Sequence, residues 1–309
     1  MSATAQLADL YARVEASAGL LGVTCSRAKV WPILAAYEDA LPQAVIAFRV
    51  ATDARHEGEF DCRFTLPGDI DPYARARSHG LLTATGHPVD ALLPDIRRRC
   101  AVDSHGVDFG VVGGFRKIWV YFPGDDFQSL AQLTGIASMP RSLAANLPFF
   151  ADRGLEDRVD VIGIDYPSRT VNLYFTAIPD ALRAPDAVLT MHRDIGIPRP
   201  SEQMLKFCAK AFGIYVTLNW ESARIERIAF GVKTRDPLSL PARLGPRIEQ
   251  FVRSLPYGAD DPKMVYAAMT SRGEEYYKLQ SYLRFRPRSR LDLMPSADTA
   301  APPPSPSRA

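Results

Sequence analysis

Polar and apolar residues alternate along a series of short stretches of this chain, and the stretches come in pairs. Over 58–66, Glu59, Asp61, Arg63 and Thr65 alternate with Phe60, Cys62, Phe64 and Leu66, so one face of an extended segment is ionic and the other apolar. The same pattern sets Lys117, Trp119 and Tyr121 opposite Ile118, Val120 and Phe122, and Thr170, Asn172 and Tyr174 opposite Val171, Leu173 and Phe175. Arg227, Ala229 and Gly231 oppose Ile228, Phe230 and Val232, while Tyr276, Lys278, Gln280 and Tyr282 share one face of the last stretch. Five two-strand units follow: 44–51 with 58–66, 105–112 with 114–122, 158–166 with 169–176, 213–220 with 225–233, and 263–270 with 275–284. Their turns fall near 55, 113, 167, 222 and 272, a spacing of about 50 to 58 residues that marks a recurring supersecondary unit.

Helical periodicity fills the intervals, at 3–20, 27–39, 72–80, 89–100, 140–151, 179–195, 201–212 and 247–255. Ten antiparallel strands in an open sheet would expose two edges and twist strongly, so closure into a barrel with helices outside is expected. An antiparallel sheet ordinarily turns its polar face to bulk water. Here the polar faces repeatedly carry Tyr and Trp, which suit a ligand site better than a wet surface. If helices cover the aliphatic faces, the mixed faces line an enclosed, solvated chamber. The expected class is α+β, one domain over 1–286. Pro287 to Ala309, with six prolines and little apolar material, is expected to be a disordered tail.

Composition narrows the function classes. The 309 residues include 37 Lys and Arg against 35 Asp and Glu, a formal charge of +2, so no global field would gather nucleic acid or an anionic membrane. Four cysteines, at 25, 62, 100 and 208, lack CxxC pairing and read as reduced, mostly buried thiols. No stretch has the length of a membrane span, and the first thirty residues lack the apolar run of a signal peptide. A soluble cytoplasmic protein is expected, and a monomer.

The candidate chemistry lies in the inward cations. Arg49, Arg63, Lys117, Arg227 and Lys278 come from four of the five hairpins, with Tyr215, Asn219, Asn172 and Thr217 as nearby donors. Crowded together they would repel one another unless an anion joined them or Asp61 and Glu59 neutralised part of the charge. A diphosphate fits that surplus, since Arg offers bidentate forks and Lys compact charge. No GxxxxGK[ST] loop is present. The adjacent acids Asp125-Asp126 and Asp260-Asp261 do not complete a DDxxD run, and the five histidines have no zinc spacing and read as surface, turn or capping residues. Asp61 could take magnesium, but Arg63 and Arg49 favour a carboxylate neutralised by guanidinium. Trp31 and Trp220 read as packing anchors, and Cys62 and Cys208 as core thiols. A non-catalytic barrel carrying an aromatic or isoprenoid metabolite is the alternative from another class.

Collinear motifs then carry a resemblance over nearly the whole chain before the tail. They are GLLGV at 19–23, DPYA at 71–74, ATGHPVD at 84–90, GGF.K at 113–117, SMP at 138–140 and DY at 165–166. VNLYF at 171–175, KFC at 206–208, Y.TLNWE at 215–221 and EEYYKL at 274–279 continue the series. In these the chain resembles the soluble aromatic prenyltransferases of the ABBA or PT-barrel class. The resemblance implies five ααββ units closing a ten-stranded antiparallel barrel, and transfer of a dimethylallyl or geranyl group from its diphosphate to an electron-rich phenol or hydroxynaphthalene. It implies diphosphate-gripping roles for Lys117, Asn172, Tyr215, Arg227 and Lys278, and places Trp119, Tyr174 and Tyr282, with Tyr121, beside the prenyl chain and acceptor. Asp61 matches the magnesium-binding carboxylate of metal-dependent members, but Arg49 and Arg63 stand where those carry serines, so no metal is expected to be required. Ser168 replaces a lysine of those members, and Gly213 a serine near the acceptor. Gly231 borders the expected prenyl chamber. No dedicated base stands out; Asp160 could orient an acceptor hydroxyl or be a strand-end carboxylate in water.

Overall fold

The computed structural model describes residues 3–52, 56–124, 126–258, 260–285 and 295–299. Ten strands close a barrel in which each pairs with its sequence neighbours and β1 returns to β10, all antiparallel. They are β1 (Ile46–Ala51), β2 (Asp61–Pro67), β3 (Ser104–Gly110), β4 (Gly114–Tyr121), β5 (Val159–Asp165), β6 (Thr170–Thr176), β7 (Gly213–Asn219), β8 (Arg227–Thr234), β9 (Lys263–Thr270) and β10 (Glu275–Arg284). Closure follows from the alternation: with every edge paired, each strand has an aliphatic face to bury outside and a mixed face to bury inside.

Helices α1 (Ala3–Gly19) and α2 (Arg27–Ala36) precede the first hairpin, and α3 (Pro72–Ser78) and α4 (Val89–Arg99) the second. Short helices α5 (Leu130–Thr134), α6 (Arg141–Ala145) and α7 (Leu147–Ala151) precede the third, and α8 (Pro185–Asp194) and α9 (Glu202–Cys208) the fourth. The last hairpin follows α10 (Gly245–Ser254) with one 3-10 turn, Pro237–Ser239. The helical layer is therefore less regular than a strict two-helix repeat. Pro148 enters α7 at its start, and splits the expected 140–151 helix at Asn146. Local chemistry sets several starts. Asp71 accepts from the backbone N–H of Tyr73 (3.0 Å) and Ala74 (2.9 Å), with Pro72 opening α3. Ser201 caps α9 through Met204 N (3.1 Å).

The barrel wall divides the apolar residues into two clusters. The larger lies outside the wall, where Phe64, Val107, Ile118, Ile162, Leu173, Phe175, Phe230 and Leu279 meet the helices. The smaller lies inside: Ala47, Phe212, Tyr215, Ala229, Met264, Ala268, Tyr276 and Tyr282, flanked by Tyr174 and Tyr266.

Several sequence expectations change. Glu59 does not face the lumen: its carboxylate accepts from Val112 N (3.0 Å) and Gly113 N (2.9 Å) and so holds the β3–β4 turn. His105 and His192 are buried, not at the surface, and burial together with Arg97 pushes His105 down to about 4. Residues 295–299, assigned to the tail by proline content, are docked. Asp298 accepts from Thr234 Oγ1 (2.6 Å) and Arg235 N (2.8 Å), Ser296 bridges Lys233, and Ala297 packs on the outer apolar cluster, so polar side chains do most of the tying of this piece to the end of β8. The rest of the 287–309 segment, and the turn expected near 55, lie outside the described residues.

Because Phe175 is buried outside the wall against Phe150, at 5.2 Å between ring centroids, Phe175→Ala is expected to destabilise the fold by about 3–5 kcal/mol. Chemical denaturation should show a lower midpoint at unchanged slope; an unmoved midpoint would contradict the packing described.

Candidate active site

The lumen contains two adjoining compartments of about 500 Å³ each. Arg63, Trp119, Tyr174, Tyr215 and Tyr266 border both and form a waist between them. One compartment is ionic and holds Arg49, Arg63, Arg116, Lys117, Arg227 and Lys278. The other is mainly apolar, with Val45, Ala47, Leu66, Val161, Met264 and Tyr282 along its wall.

The expected convergence of Arg49, Arg63, Lys117, Arg227 and Lys278 is what the barrel produces. Their neutralisation differs from the sequence reading, because the main buried acid is Asp108 on β3. Arg49 Nη2 lies 2.6 Å from Asp108 Oδ2, and Arg63 Nε lies 2.6 Å from Asp108 Oδ1. Burial alone would raise the Asp108 carboxyl; Arg49 and Arg63 outweigh it and hold the group well below the usual carboxylate range. Asp61 is instead held by Arg116 Nη1 at 2.9 Å and Arg49 Nη2 at 3.5 Å. Arg63 also lies 3.3 Å from the Tyr121 hydroxyl, and its guanidinium sits over the Trp119 ring, 3.7 Å from the centroid.

Arg116 was not expected, since strict alternation from Lys117 points it outward. The β3–β4 ladder shifts there, pairing Asp108 with Lys117 but Phe109 with Phe115, so Arg116 is the extra residue of a bulge and escapes the alternation. Asp108 had a usable signal, as the cross-strand partner of Lys117 and Arg63. Tyr266 had one too, through its pairing with Lys278.

The remaining cations are less fully compensated. Lys117 Nζ lies 3.5 Å from Asp165, its amine pushed down to about 8 by burial, with Arg49 and Arg227 adding to that and Asp165 and Asp108 opposing. Arg227 donates to Tyr276 Oη (2.8 Å) and Asn172 Oδ1 (2.9 Å), both neutral; Asn172 also accepts from Thr217 Oγ1 at 2.6 Å. Burial, then Arg227 and Arg49, lowers Lys278 well below the ordinary lysine range. Among the described residues no carboxylate lies within ion-pair distance of Arg227 or Lys278. The unbalanced positive charge is thus concentrated at Arg227 and Lys278, with Lys117, paired to Asp165 alone, beside them.

Aromatic side chains reach the waist because glycine faces them. Trp119 pairs across the ladder with Gly106 on β3 and Gly163 on β5, and a Cβ at either would contact the indole at 3.3 to 3.4 Å. Tyr174 packs on Trp119 (4.8 Å between centroids) and on Tyr215 (4.3 Å). Tyr282 stands deeper and accepts a hydrogen bond from Gln280 Nε2 at 2.7 Å.

Two expected site residues are placed differently, and a third lines the site with its amide engaged elsewhere. Asp160 is buried, not in water at a strand end; it is the extra residue of a β5 bulge and accepts from Thr176 Oγ1 at 2.7 Å. Gly231 does not open onto the chamber, because the Tyr215 ring lies over it. Asn219 spends its amide on the β7–β8 turn, donating to Glu226 and accepting from Glu221 N and Ser222 N.

A magnesium ion at Asp61 does not fit this arrangement. The carboxylate already faces two guanidiniums, and among the described residues no group of three or more acidic, His or Cys side chains could hold an ion. What the lumen can do is hold a polyanion at Lys117, Arg227 and Lys278 with its apolar portion among electron-rich rings. A closed ten-stranded barrel with that interior defines an aromatic prenyltransferase of the PT-barrel class.

Comparison with known proteins agrees. The chain belongs to the family described as aromatic prenyltransferase Orf2, whose model matches residues 5–294. It is 66% identical over 293 residues to a flaviolin linalyltransferase from Streptomyces virginiae, covering 95% of this chain and 97% of that one. It is 60% identical to a furaquinocin biosynthesis prenyltransferase from Streptomyces sp. strain KO-3988, covering 93% of each chain. It is also 44% identical to a 5,10-dihydrophenazine-1-carboxylate 9-dimethylallyltransferase from Streptomyces anulatus, covering 96% and 99%. The fold is shared with prenyltransferase PriB, solved with L-tryptophan and dimethylallyl thiolodiphosphate, at a TM-score of 0.55 and 11% identity over 89% of this chain and 96% of that one.

The Lys117 environment implies a proton-linked affinity. A bound diphosphate favours the ammonium form, so binding takes up a proton once the free amine loses it near 8. The affinity for a non-hydrolysable allylic thiolodiphosphate should fall by up to about tenfold per pH unit above that point. Calorimetry showing flat affinity from neutral pH into the alkaline range would contradict this.

Proposed function

We propose that the protein transfers a dimethylallyl or geranyl group from its diphosphate to an electron-rich phenol or hydroxynaphthalene, without a metal ion, as a monomeric cytoplasmic enzyme of secondary metabolism. The observation that carries this is the uncompensated charge at Arg227 and Lys278, with Lys117 and its partner Asp165 beside them, next to a waist of four aromatic rings. The names of the relatives, which include a linalyltransferase and a dimethylallyltransferase, support ten- and five-carbon donors. No helix among the described residues is long and apolar enough to cross a membrane.

The chemistry follows from where the charge lies. The allylic C–O bond breaks with its electron pair going to the diphosphate, and the cations stabilise that developing charge more strongly than they stabilise the intact donor. The faces of Trp119, Tyr174, Tyr215 and Tyr266 border the allylic cation and keep water from it. An acceptor ring stacked within reach supplies the π electrons for the new C–C bond, and its displaced proton leaves to diphosphate or water. Arg49, Arg63 and Arg116, fixed by buried acids, supply the positive wall that a metal would otherwise supply. The carrier alternative finds no support, because storage of a neutral metabolite gives no reason to bury uncompensated cations.

Two measurements test this. Lys117→Ala and Arg227→Ala should each lower kcat/KM by about 100-fold or more while the thermal midpoint moves little; near-normal turnover in both would remove the diphosphate assignment. Enzyme treated with EDTA should still prenylate a dihydroxynaphthalene, whereas activity that disappears on chelation and returns with magnesium would reject the metal-free reading.

A further inference from the structure

The position of Tyr215 on β7 suggests a hydroxyl aimed at the cation end, and the structure places it elsewhere. Thr217 and Arg227 pair at the ionic end, Tyr215 pairs with Ala229, and Gly213 pairs with Gly231 one step deeper. The Tyr215 ring leans away from Arg227 and over that glycine pair. A Cβ on Gly231 would come within 2.8 Å of Tyr215 Cε2 and 3.0 Å of Cζ, with the hydroxyl closer still; a Cβ on Gly213 would lie 3.5 Å from the same hydroxyl. Neither glycine adopts a positive φ, so backbone conformation does not require them. Glycine inside a strand weakens it, and two facing each other across a ladder mark a place where something approaches closely. At Gly231 it is the phenol; at Gly213 it is the Phe175 carbonyl, which a Cβ would meet at 2.8 Å, with the phenol beyond it.

Where that ring rests decides how far the two compartments communicate. Tyr215 borders both, with Tyr174 at 4.3 Å on one side and Tyr266 at 5.5 Å on the other. A ring driven off β8 has only the waist to move into. We propose that the Gly213–Gly231 pair is a specificity determinant for donor length: by seating the Tyr215 phenol in the wall it keeps the waist open, so that a ten-carbon allylic chain held at the cation end extends into the apolar compartment. This rests on the prenyl-transfer reading above. A five-carbon chain, with its reacting carbon at the waist, extends little beyond it and depends far less on the seat.

The test is a ratio. Gly231→Ala adds one methyl beneath the ring and should lower kcat/KM for geranyl diphosphate by about tenfold or more relative to that for dimethylallyl diphosphate. Truncating the displaced ring in the double variant Gly231→Ala/Tyr215→Leu should return the ratio toward the wild-type value, which a general loss of barrel stability would not do. Equal losses for both donors, an unrestored ratio, or a wild-type enzyme that prefers the five-carbon donor would each overturn the proposal. If the wild-type enzyme transfers neither group, the prenyl-transfer reading fails on its own. The seat is then judged from the dissociation constants of geranyl and dimethylallyl thiolodiphosphate in the same variants, where the ratio should shift and recover as above.

Discussion

The interior of this barrel depends on one carboxylate placed between two guanidiniums. Seven Lys and Arg side chains line the ionic compartment, and two unit charges 4 Å apart repel by about 4 kcal/mol even at an intermediate effective dielectric. Asp108 makes the arrangement tolerable by accepting from both Arg49 and Arg63, and Asp61 does the same for Arg116 and Arg49. These pairs gather on β1 to β4. The consequence is spatial: compensation on those strands leaves the surplus at Arg227 on β8 and Lys278 on β10, with Lys117 of β4 lining the same compartment. A free barrel already arranged for an anion needs little reorganisation when the leaving group develops its charge, which is the condition under which fixed charges contribute most to rate.

The second requirement is space, and backbone without side chains provides it. Ten strands with large inward residues at every position would fill their own lumen. Here the bulky rings are opposed by glycine or alanine: Trp119 by Gly106 and Gly163, Tyr215 by Ala229, and Tyr276 by Ala268. Rings that rest on glycine are held by the opposing backbone as well as by one another, so the waist is made of oriented faces. The cation–π contact of Arg63 on Trp119 shows one such face already engaged. That couples the ionic network to the aromatic one.

Strand pairing and the inward set were legible because their signal is a period of two, which survives without knowledge of tertiary contacts. Lys117, Arg227 and Lys278 needed only parity and a closed barrel to bring them together. The errors lie where the period breaks or where a polar group has a local use. Bulges displaced Arg116 and Asp160 from the faces that parity assigns them. Glu59 and Asn219 sit near turns, where backbone N–H groups compete for their oxygens. His105 and His192 are buried by helices whose packing no local pattern encodes. Residues 295–299 are docked by Ser296 and Asp298, while proline content describes only the cost of ordering the surrounding chain.

The two compartments also explain why polarity runs along the barrel axis rather than across its wall. A substrate that is a polyanion at one end and a hydrocarbon at the other cannot be held by a uniformly polar lumen, which would leave its chain in water, nor by a uniformly apolar one, which would strip its phosphates without replacement. Changing the strand face from Arg227 through Ala229 to Gly231, and from Lys278 through Gln280 to Tyr282, provides both within three alternate positions. In the proposed reaction the reacting carbon lies where the gradient is steepest, at the waist. There the leaving charge is drawn toward the lysines and the positive carbon is left among rings. Bond breaking and cation capture are separated along one axis by the same alternation that builds the strands.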